Sequence, residues 1–226
     1  MDGLARRFIK SMCDVIQTMG WGQSVACADL QDGDVVATHA IAGGGPEIRV
    51  RALRPTLHPE IADVVEAHHH EALRRHDVAG MVSVTSPLRA MSATWQLLAE
   101  APGNGCMAGF RVDLRDASQT LPLERALACF GQDQLALLRR RFVGRVGELA
   151  GLWVRDDFRK LGLSGALVSA TVTTAYQIGL TRIFAFSAPH TRALFDAAGF
   201  QVIRSLGDNG EFPYPNQRYR SWVMEL

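Results

Sequence analysis

Residues 147–167 read GELAGLWVRDDFRKLGLSGAL, and three local rules operate within them. GELAGLWV (147–154) is mostly apolar, as a central strand covered on both faces should be. DDFRKLG then brings in charge and a glycine, which end the strand. LSGALVSATVTTAYQIGL continues at helical spacing and closes on Gly179. Strand, short Arg/Gly loop and helix, in that order, make a ready anion site. The first N–H groups of a helix have no intrahelical partner, and the helix dipole adds partial positive charge. Gly162 would let the backbone approach a phosphate, and Arg159 offers a forked donor. On the loop alone, a phosphate cradle and a plain strand-to-helix turn with solvated charges stand level.

Downstream, TRIFAFSA (181–188) reads as a strand, and PHTRALFDAAG as a helix opened by Pro189 and stopped at Gly199. FQVIRSL and RYRSWVMEL follow as two strands around a loop rich in Gly, Pro and Asn. Upstream, EIRVRAL (47–53) alternates in strand fashion. HPEIADVVEAHHHEALRRHDV (58–78) has helical spacing that puts Ile61, Val64, Val65 and Leu73 on one side. A polar stretch with Ser83, Thr85 and Pro87 precedes two strands, ATWQLLAE (93–100) and CMAGFRVDL (106–114), joined by Pro102, Gly103, Asn104 and Gly105. LPLERALACFGQDQLALLRRRF (121–142) reads as a helical region. The class is α/β, with no internal repeat.

Residues 1–46 differ from the rest. A short helix ending near Gly20 and two strands around a QDGD turn in SVACADLQDGDVVATHAI are expected there. Gly43-Gly44-Gly45-Pro46 breaks the pattern, so 1–46 reads as an N-terminal extension or dimerisation element and 47–226 as the main domain. A homodimer is one expectation of that reading.

The 226 residues are 47% hydrophobic and 21% charged, enough for one sizeable core. A net charge of +1 does not point to a nucleic-acid binder. Lys10 and Lys160 are the only lysines, so the basic side is almost all arginine. Cys13, Cys27, Cys106 and Cys129 lie far apart and form no CxxC pair, as expected of reduced, mostly buried thiols in the cytoplasm. No run approaches the roughly 20 apolar residues that span a bilayer, and the N-terminus lacks a signal-peptide core.

FRKLGLSGAL resembles the acyl-CoA-binding loop of the GNAT (N-acetyltransferase) superfamily, patterned Arg/Gln-x-x-Gly-x-Gly/Ala. Arg159 matches its first position and Gly162 its central glycine, while Ser164 falls where the last small residue sits. HTRALFDAAGF (190–200) is similar to a second segment of the family, and the resemblance covers about four-fifths of the chain. It implies a GNAT fold: a central, mixed, twisted sheet flanked by helices. It also implies a donor, either acyl-CoA or a phosphopantetheine-linked acyl group, with its pyrophosphate on the backbone of Arg159, Lys160, Leu161, Gly162, Leu163, Ser164 and Gly165. The preceding strand, at Leu152, Trp153 and Val154, would lie along the donor, a backbone N–H near Leu152 or Trp153 polarising the thioester carbonyl.

TWQLLAEAPGNGCMAGFRVDLRDASQTLPLE and GELAGLWV are further similar to the branch holding acyl-homoserine lactone (autoinducer) synthases and long-chain N-acyl amino acid synthases. Phe110-Arg111-Val112, Leu121-Pro122-Leu123-Glu124 and Glu148-Leu149-Ala150-Gly151 occupy the matching places. Gly151 stands where that branch has an arginine, and the arginine- and aromatic-rich N-terminal signature of the lactone synthases is missing. Simple amide formation is therefore the expected outcome.

Acyl transfer to an amine needs a proton acceptor and a fixed donor for the oxyanion. Glu148 is the candidate base, directly or through a water; the alternative is a strand-end carboxylate paired with Arg145 or Arg111. Many acetyltransferases carry a tyrosine acid in the second segment, where this chain has Phe195, and Tyr176 reads as core. Arg111 is either the group that holds a carboxylate on the acceptor or a structural strand arginine. Arg139-Arg140-Arg141, Arg145, Arg155, Arg159 and Lys160 would dock an acidic acyl carrier protein if they share one face, and are otherwise solvated. His68-His69-His70 point about 100° apart on a helix, so the three cannot meet one ion, and no HExxH exists. No metal is expected. Ser164, Ser169 and Ser187 lack a nucleophile elbow.

The expectation is an N-acyltransferase moving an acyl group from a thioester carrier to the amine of a small, amino-acid-like acceptor. A short-chain acetyl-CoA-dependent acetyltransferase and a non-catalytic binding module on the same fold are the alternatives. A deep apolar slot beside 147–154 would favour long acyl chains.

Overall fold

The structure is a computed structural model that describes residues 30–40, 47–76, 78, 87–117 and 119–226. The helix expected near Gly20, the first arm of the QDGD hairpin, the break at 43–46 and the stretch around Ser83 and Thr85 lie outside the described residues.

Nine strands form one mixed sheet. In chain order they are β1 (Val35–Ala40), β2 (Glu47–Leu53), β3 (Thr94–Ala101), β4 (Gly105–Leu114), β5 (Val146–Val154), β6 (Arg182–Ser187), β7 (Gln201–Val202), β8 (Glu211–Phe212) and β9 (Ser221–Glu225). The spatial order is β1-β2-β3-β4-β5-β6-β9-β7, with β8 also against β9. All pairings are antiparallel except β5 with β6. A parallel pair needs a crossover, and the helix α4 (Leu163–Gln177) supplies it. The segment before the 43–46 break thus contributes β1, which pairs along β2.

Helices cover both faces. α1 (Pro59–Arg75) opens on Pro59, whose missing N–H costs nothing at a first helical position. It packs Ala62 and Val65 against Leu53, Leu88, Leu98 and Trp153. Val64, expected on the inner side, is 44% exposed. The helix presents the 62/65 stripe instead, because three residues advance the wheel by nearly a full turn.

The region 121–142 is two helices, α2 (Pro122–Ala128) and α3 (Gln132–Arg139). Gly131, at φ +106, breaks it where no side chain would sit comfortably. Leu121, Leu123, Leu127 and Leu138 from this region cover Val146, Phe184 and Val223 of the sheet. On the opposite face, α4 lays Leu163, Leu167, Val168 and Val172 against Phe110, Val112 and Leu149. A leucine buried as fully as Leu167 contributes about 1.5–3 kcal/mol.

Two C-terminal elements are shorter than the sequence suggests. α5 (Arg192–Ala197) starts after Pro189, because the Thr191 hydroxyl caps the preceding turn by accepting from Ala188 N–H at 3.1 Å. In FQVIRSL only Gln201–Val202 forms strand.

Candidate active site

β5 is interrupted on both sides. Against β4 the register jumps from Arg111↔Ala150 to Gly109↔Trp153, so Gly151 and Leu152 together stand opposite Phe110, a β-bulge. Gly151 has φ +68, a left-handed conformation that suits glycine. The buried Gln96 amide donates to the Phe110 carbonyl at 3.0 Å, fixing the partner strand beside the bulge. Against β6 the parallel pairing runs from Val146 to Leu149 and goes no further. Past that point β5 borders a cavity of about 760 Å³. The strand expected to be covered on both faces is buried over Val146–Leu149 and partly open at Ala150, Gly151 and Leu152, where the cavity begins.

One end of the cavity is the loop between β5 and α4. Asp156–Phe158 is a 3-10 turn, Lys160 takes φ +66, and Gly162 caps α4 at φ +77. The first backbone bond of α4 runs from Ala166 N–H to Gly162 C=O at 3.2 Å, so the amides of Leu163, Ser164 and Gly165 precede the ladder. A Cβ built on Gly162 or Gly165 would meet nothing within 4 Å, so this backbone faces open space. Arg159, Lys160, Gly162, Leu163, Ser164 and Gly165 line the cavity, as do Leu152, Trp153 and Val154. Leu161 is the exception, packed into the core. Glycines, a fifteen-residue helix start and two cationic side chains fit a pyrophosphate. Arg159 also holds Asp156 at 3.1 Å, which orders the loop's outer turn.

Glu148 lies in the same cavity, 2% exposed. Its Oε2 accepts from Leu123 N–H at 2.7 Å, a bond to the start of α2. Burial pushes its carboxyl up to about 8; the Leu123 bond opposes this, the nearby Asp113 adds to it, and Arg111 and Arg125 oppose it. No ion pair joins Glu148 to Arg145 or Arg111. Arg111 also lines the cavity, but its Nε donates to Asp113 at 2.9 Å, and Asp113 takes a second bond from Thr94 at 2.7 Å. Arg111 is thus charge-compensated within its own strand.

Three groups here escaped sequence reasoning. Arg125 lines the cavity from α2; its Nη1 donates to the Thr120 carbonyl at 2.8 Å and hydroxyl at 3.3 Å, while its Nε and Nη2 are buried without a partner. Asp113 is wholly buried beneath Arg111. The Tyr219 hydroxyl meets His190 Nδ1 at 3.0 Å, and His190 stacks on His76 with ring centroids 3.8 Å apart. Burial first, then the charges of His76 and Arg159, hold His190 down at about 4. The Leu-Pro-Leu-Glu stretch could have flagged Arg125, since it starts a helix pointed at β5; the Tyr219–His190 contact joins residues 29 apart and leaves no local signal.

The consecutive histidines part as helix geometry requires. His68 stacks on Trp153 at 4.7 Å, and burial beside Arg111 lowers His69 to about 3. Phe195 packs with Phe110 and Phe200 in the core, and Tyr176 is half-buried against the same core.

The arginine concentration does not form one face. Arg139–Arg145 and Arg155–Lys160 flank β5 at opposite ends, and nine residues of strand at about 3.3 Å each separate them by roughly 30 Å. Several also meet acids: Arg139 with Glu124, Arg141 with Glu225, Arg155 with Asp157. Of the described cysteines, Cys106 is half-buried and Cys129 is exposed rather than buried; both are free. Among the described residues no helix is long and apolar enough to cross a membrane.

A mixed sheet with one parallel pair, a bulged strand and a glycine loop opening the crossover helix define the GNAT fold. Residues 126–200 match the model of the Acetyltransferase (GNAT) family, a span holding β5, the loop, α4, β6 and α5, so the chain carries a GNAT domain. Among solved structures, the GNAT domain of S. lividans PAT superposes with a TM-score of 0.52 at 16% identity, over 84% of this chain and 95% of that one. FeeM, an N-acyl amino acid synthase from uncultured soil microbes, gives 0.54 at 13% identity, over 80% and 91%. Arylalkylamine N-acetyltransferase 7 from the yellow fever mosquito Aedes aegypti gives 0.54 at 13% identity, over 91% and 99%. At these identities the likeness is one of fold. No curated protein matches the sequence.

Proposed function

We propose that this protein is an N-acyltransferase that moves an acyl group from an acyl-CoA or acyl carrier protein thioester to the amine of a small, amino-acid-like acceptor. The observation that carries the reading is one cavity running from the amides at the start of α4 to the carboxyl of Glu148. Arg159, Lys160 and the backbone from Gly162 to Gly165 hold the donor's pyrophosphate. The donor's thioester supplies an activated acyl carbon. Leu152, Trp153 and Val154 lie along the donor, and a backbone N–H at Leu152 or Trp153 stabilises the oxyanion.

Glu148 accepts the proton that the amine loses as it attacks, a task suited to a carboxyl raised to about 8. The C–N bond forms first, giving the tetrahedral oxyanion; its collapse breaks the C–S bond, and the leaving thiolate takes a proton from water. Leu73, Val78, Leu88, Met91, Leu123 and Ala126 give the cavity an apolar wall, which supports an acyl chain longer than acetyl. FeeM, which shares the fold, is an N-acyl amino acid synthase, and this agrees with the class proposed. A thioester donor and the free thiols of Cys106 and Cys129 suit the cytoplasm.

Incubation with acyl-CoAs of graded length and an acylated carrier protein, plus pooled amines and amino acids, tests this by mass spectrometry. A new amide is the expected product, and its preferred donor tells coenzyme A from a carrier protein. No amide with any donor overturns the reading.

A further inference from the structure

We propose that Arg125 is the anchor of the acceptor, gripping a carboxylate on the edge formed by Nε and Nη2, so that the acceptor is an amino acid rather than a plain amine. This rests on the acyltransferase reading and adds to it the residue that holds the second substrate and the group by which it is held.

A guanidinium has two paired donor edges, and Arg125 uses only part of its set. Nη1 is fixed to the Thr120 carbonyl and hydroxyl, which holds the group in one orientation. Nε and Nη2 share the opposite edge, are both buried, and have no hydrogen-bond partner. Buried donors of a permanently charged group left unpaired are costly, and such a pattern in a folded protein calls for a partner. That edge presents two parallel N–H groups at the spacing of the two oxygens of a carboxylate. Arg125 also lines the cavity that holds Glu148, and because both nitrogens are closed to solvent, a ligand carboxylate reaches them from that cavity by a small displacement of the wall between.

The other cations near the base are already matched. Arg111 is bonded to Asp113, and Arg115 and Arg139 are both bonded to Glu124. Glu124, the sequence neighbour of Arg125, is therefore saturated; it also caps the Leu121 N–H. Glu148 bonds to Leu123 rather than to Arg125, yet lies close enough for the Arg125 charge to act on it. A ligand carboxylate on Arg125 thus puts its amine in the same cavity as Glu148. Arg111 was the arginine whose place in the sequence suggested this task; its compensated charge makes Arg125 the better fit.

The test compares amino acids with their carboxamides as acceptors, using the wild-type chain, Arg125→Gln and Arg125→Lys. Wild type should favour the acids by at least about tenfold in KM, and Arg125→Gln should raise the KM for acids by about thirtyfold while changing that for carboxamides less than about threefold. Arg125→Lys, a point charge without the fork, should fall between. Equal use of acids and carboxamides by wild type overturns the anchor even if no variant folds.

If no amine is acylated, calorimetry with N-octanoyl-L-alanine and its methyl ester still decides. Tighter binding of the acid, lost in Arg125→Gln, sustains the carboxylate site while the transferase reading falls. Equal binding of acid and ester overturns the site.

Discussion

Gly151 and Arg111 compete for one space: a Cβ on Gly151 would lie 2.7 Å from Nη1 of Arg111. The glycine at this place in β5 is what allows the guanidinium of the neighbouring strand to fold over the bulge and reach Asp113. The departure from the arginine of the resembled branch therefore has a steric counterpart in this chain.

Gly151→Ala is expected to destabilise the fold by about 2–3 kcal/mol, combining left-handed strain with displacement of a buried ion pair. Urea denaturation reads the effect. A change within about 0.5 kcal/mol would mean that Arg111 repacks freely.

Glu148→Gln should lower kcat/KM by about a hundredfold or more, and wild-type kcat/KM should climb with pH to a plateau above about 8, the level of its raised carboxyl. Stability moves the other way. A carboxyl whose folded pKa is raised binds protons more readily in the folded chain, so folding weakens as pH rises from 4.5 to about 8. Glu148→Gln, which keeps an acceptor for the Leu123 N–H, should stabilise the chain at pH 8.5 by about 2 kcal/mol and have little effect at pH 5. Paired melts at the two pH values check it; an equal shift at both would remove ionisation as the cause.

Gly162→Asp places a carboxylate in the open space before the α4 amides, against the phosphates expected there. Coenzyme A affinity should drop at least about tenfold by calorimetry, with the melting temperature within a few degrees of wild type. Unchanged affinity would put the donor elsewhere.

Donor chain length gives a fourth measurement. Each buried methylene contributes about 0.8 kcal/mol, so octanoyl thioesters should exceed acetyl by about tenfold or more in kcat/KM. A preference for acetyl would show that the apolar wall at Leu88 and Met91 serves another purpose.

The frame of the fold was legible where side-chain pattern and turn chemistry agree. The apolar run into DDFRKLG, the helix after Gly162 and the α/β order all appear in the structure because each depends on neighbours in sequence. The outward turn of Val64 and the split at Gly131 were not legible, since tertiary packing chooses among several apolar stripes and a single glycine can end or merely weaken a helix. The site divides the same way. Glu148 and the loop residues reach one cavity together, as their spacing along one strand-loop-helix unit implies. Asp113 and the Tyr219–His190 pair are set by cross-strand register and by loops distant in sequence, which no local motif encodes, whereas Arg125 follows a Leu-Pro-Leu-Glu stretch that marks its helix but not its unpaired edge.

The bulge in β5 has a consequence for heredity as well as for shape. Side chains on a strand alternate, so 148 and 153, one even and one odd, would ordinarily point to opposite faces. Because two residues stand opposite Phe110, the count slips by one, and Glu148, Ala150 and Trp153 share the face of Asp113, Arg111 and Gly109. Parity before the bulge and parity after it are independent. A lineage can exchange residues in this strand one at a time, but gaining or losing a single codon there would send either the carboxyl or the indole to the wrong side of the sheet.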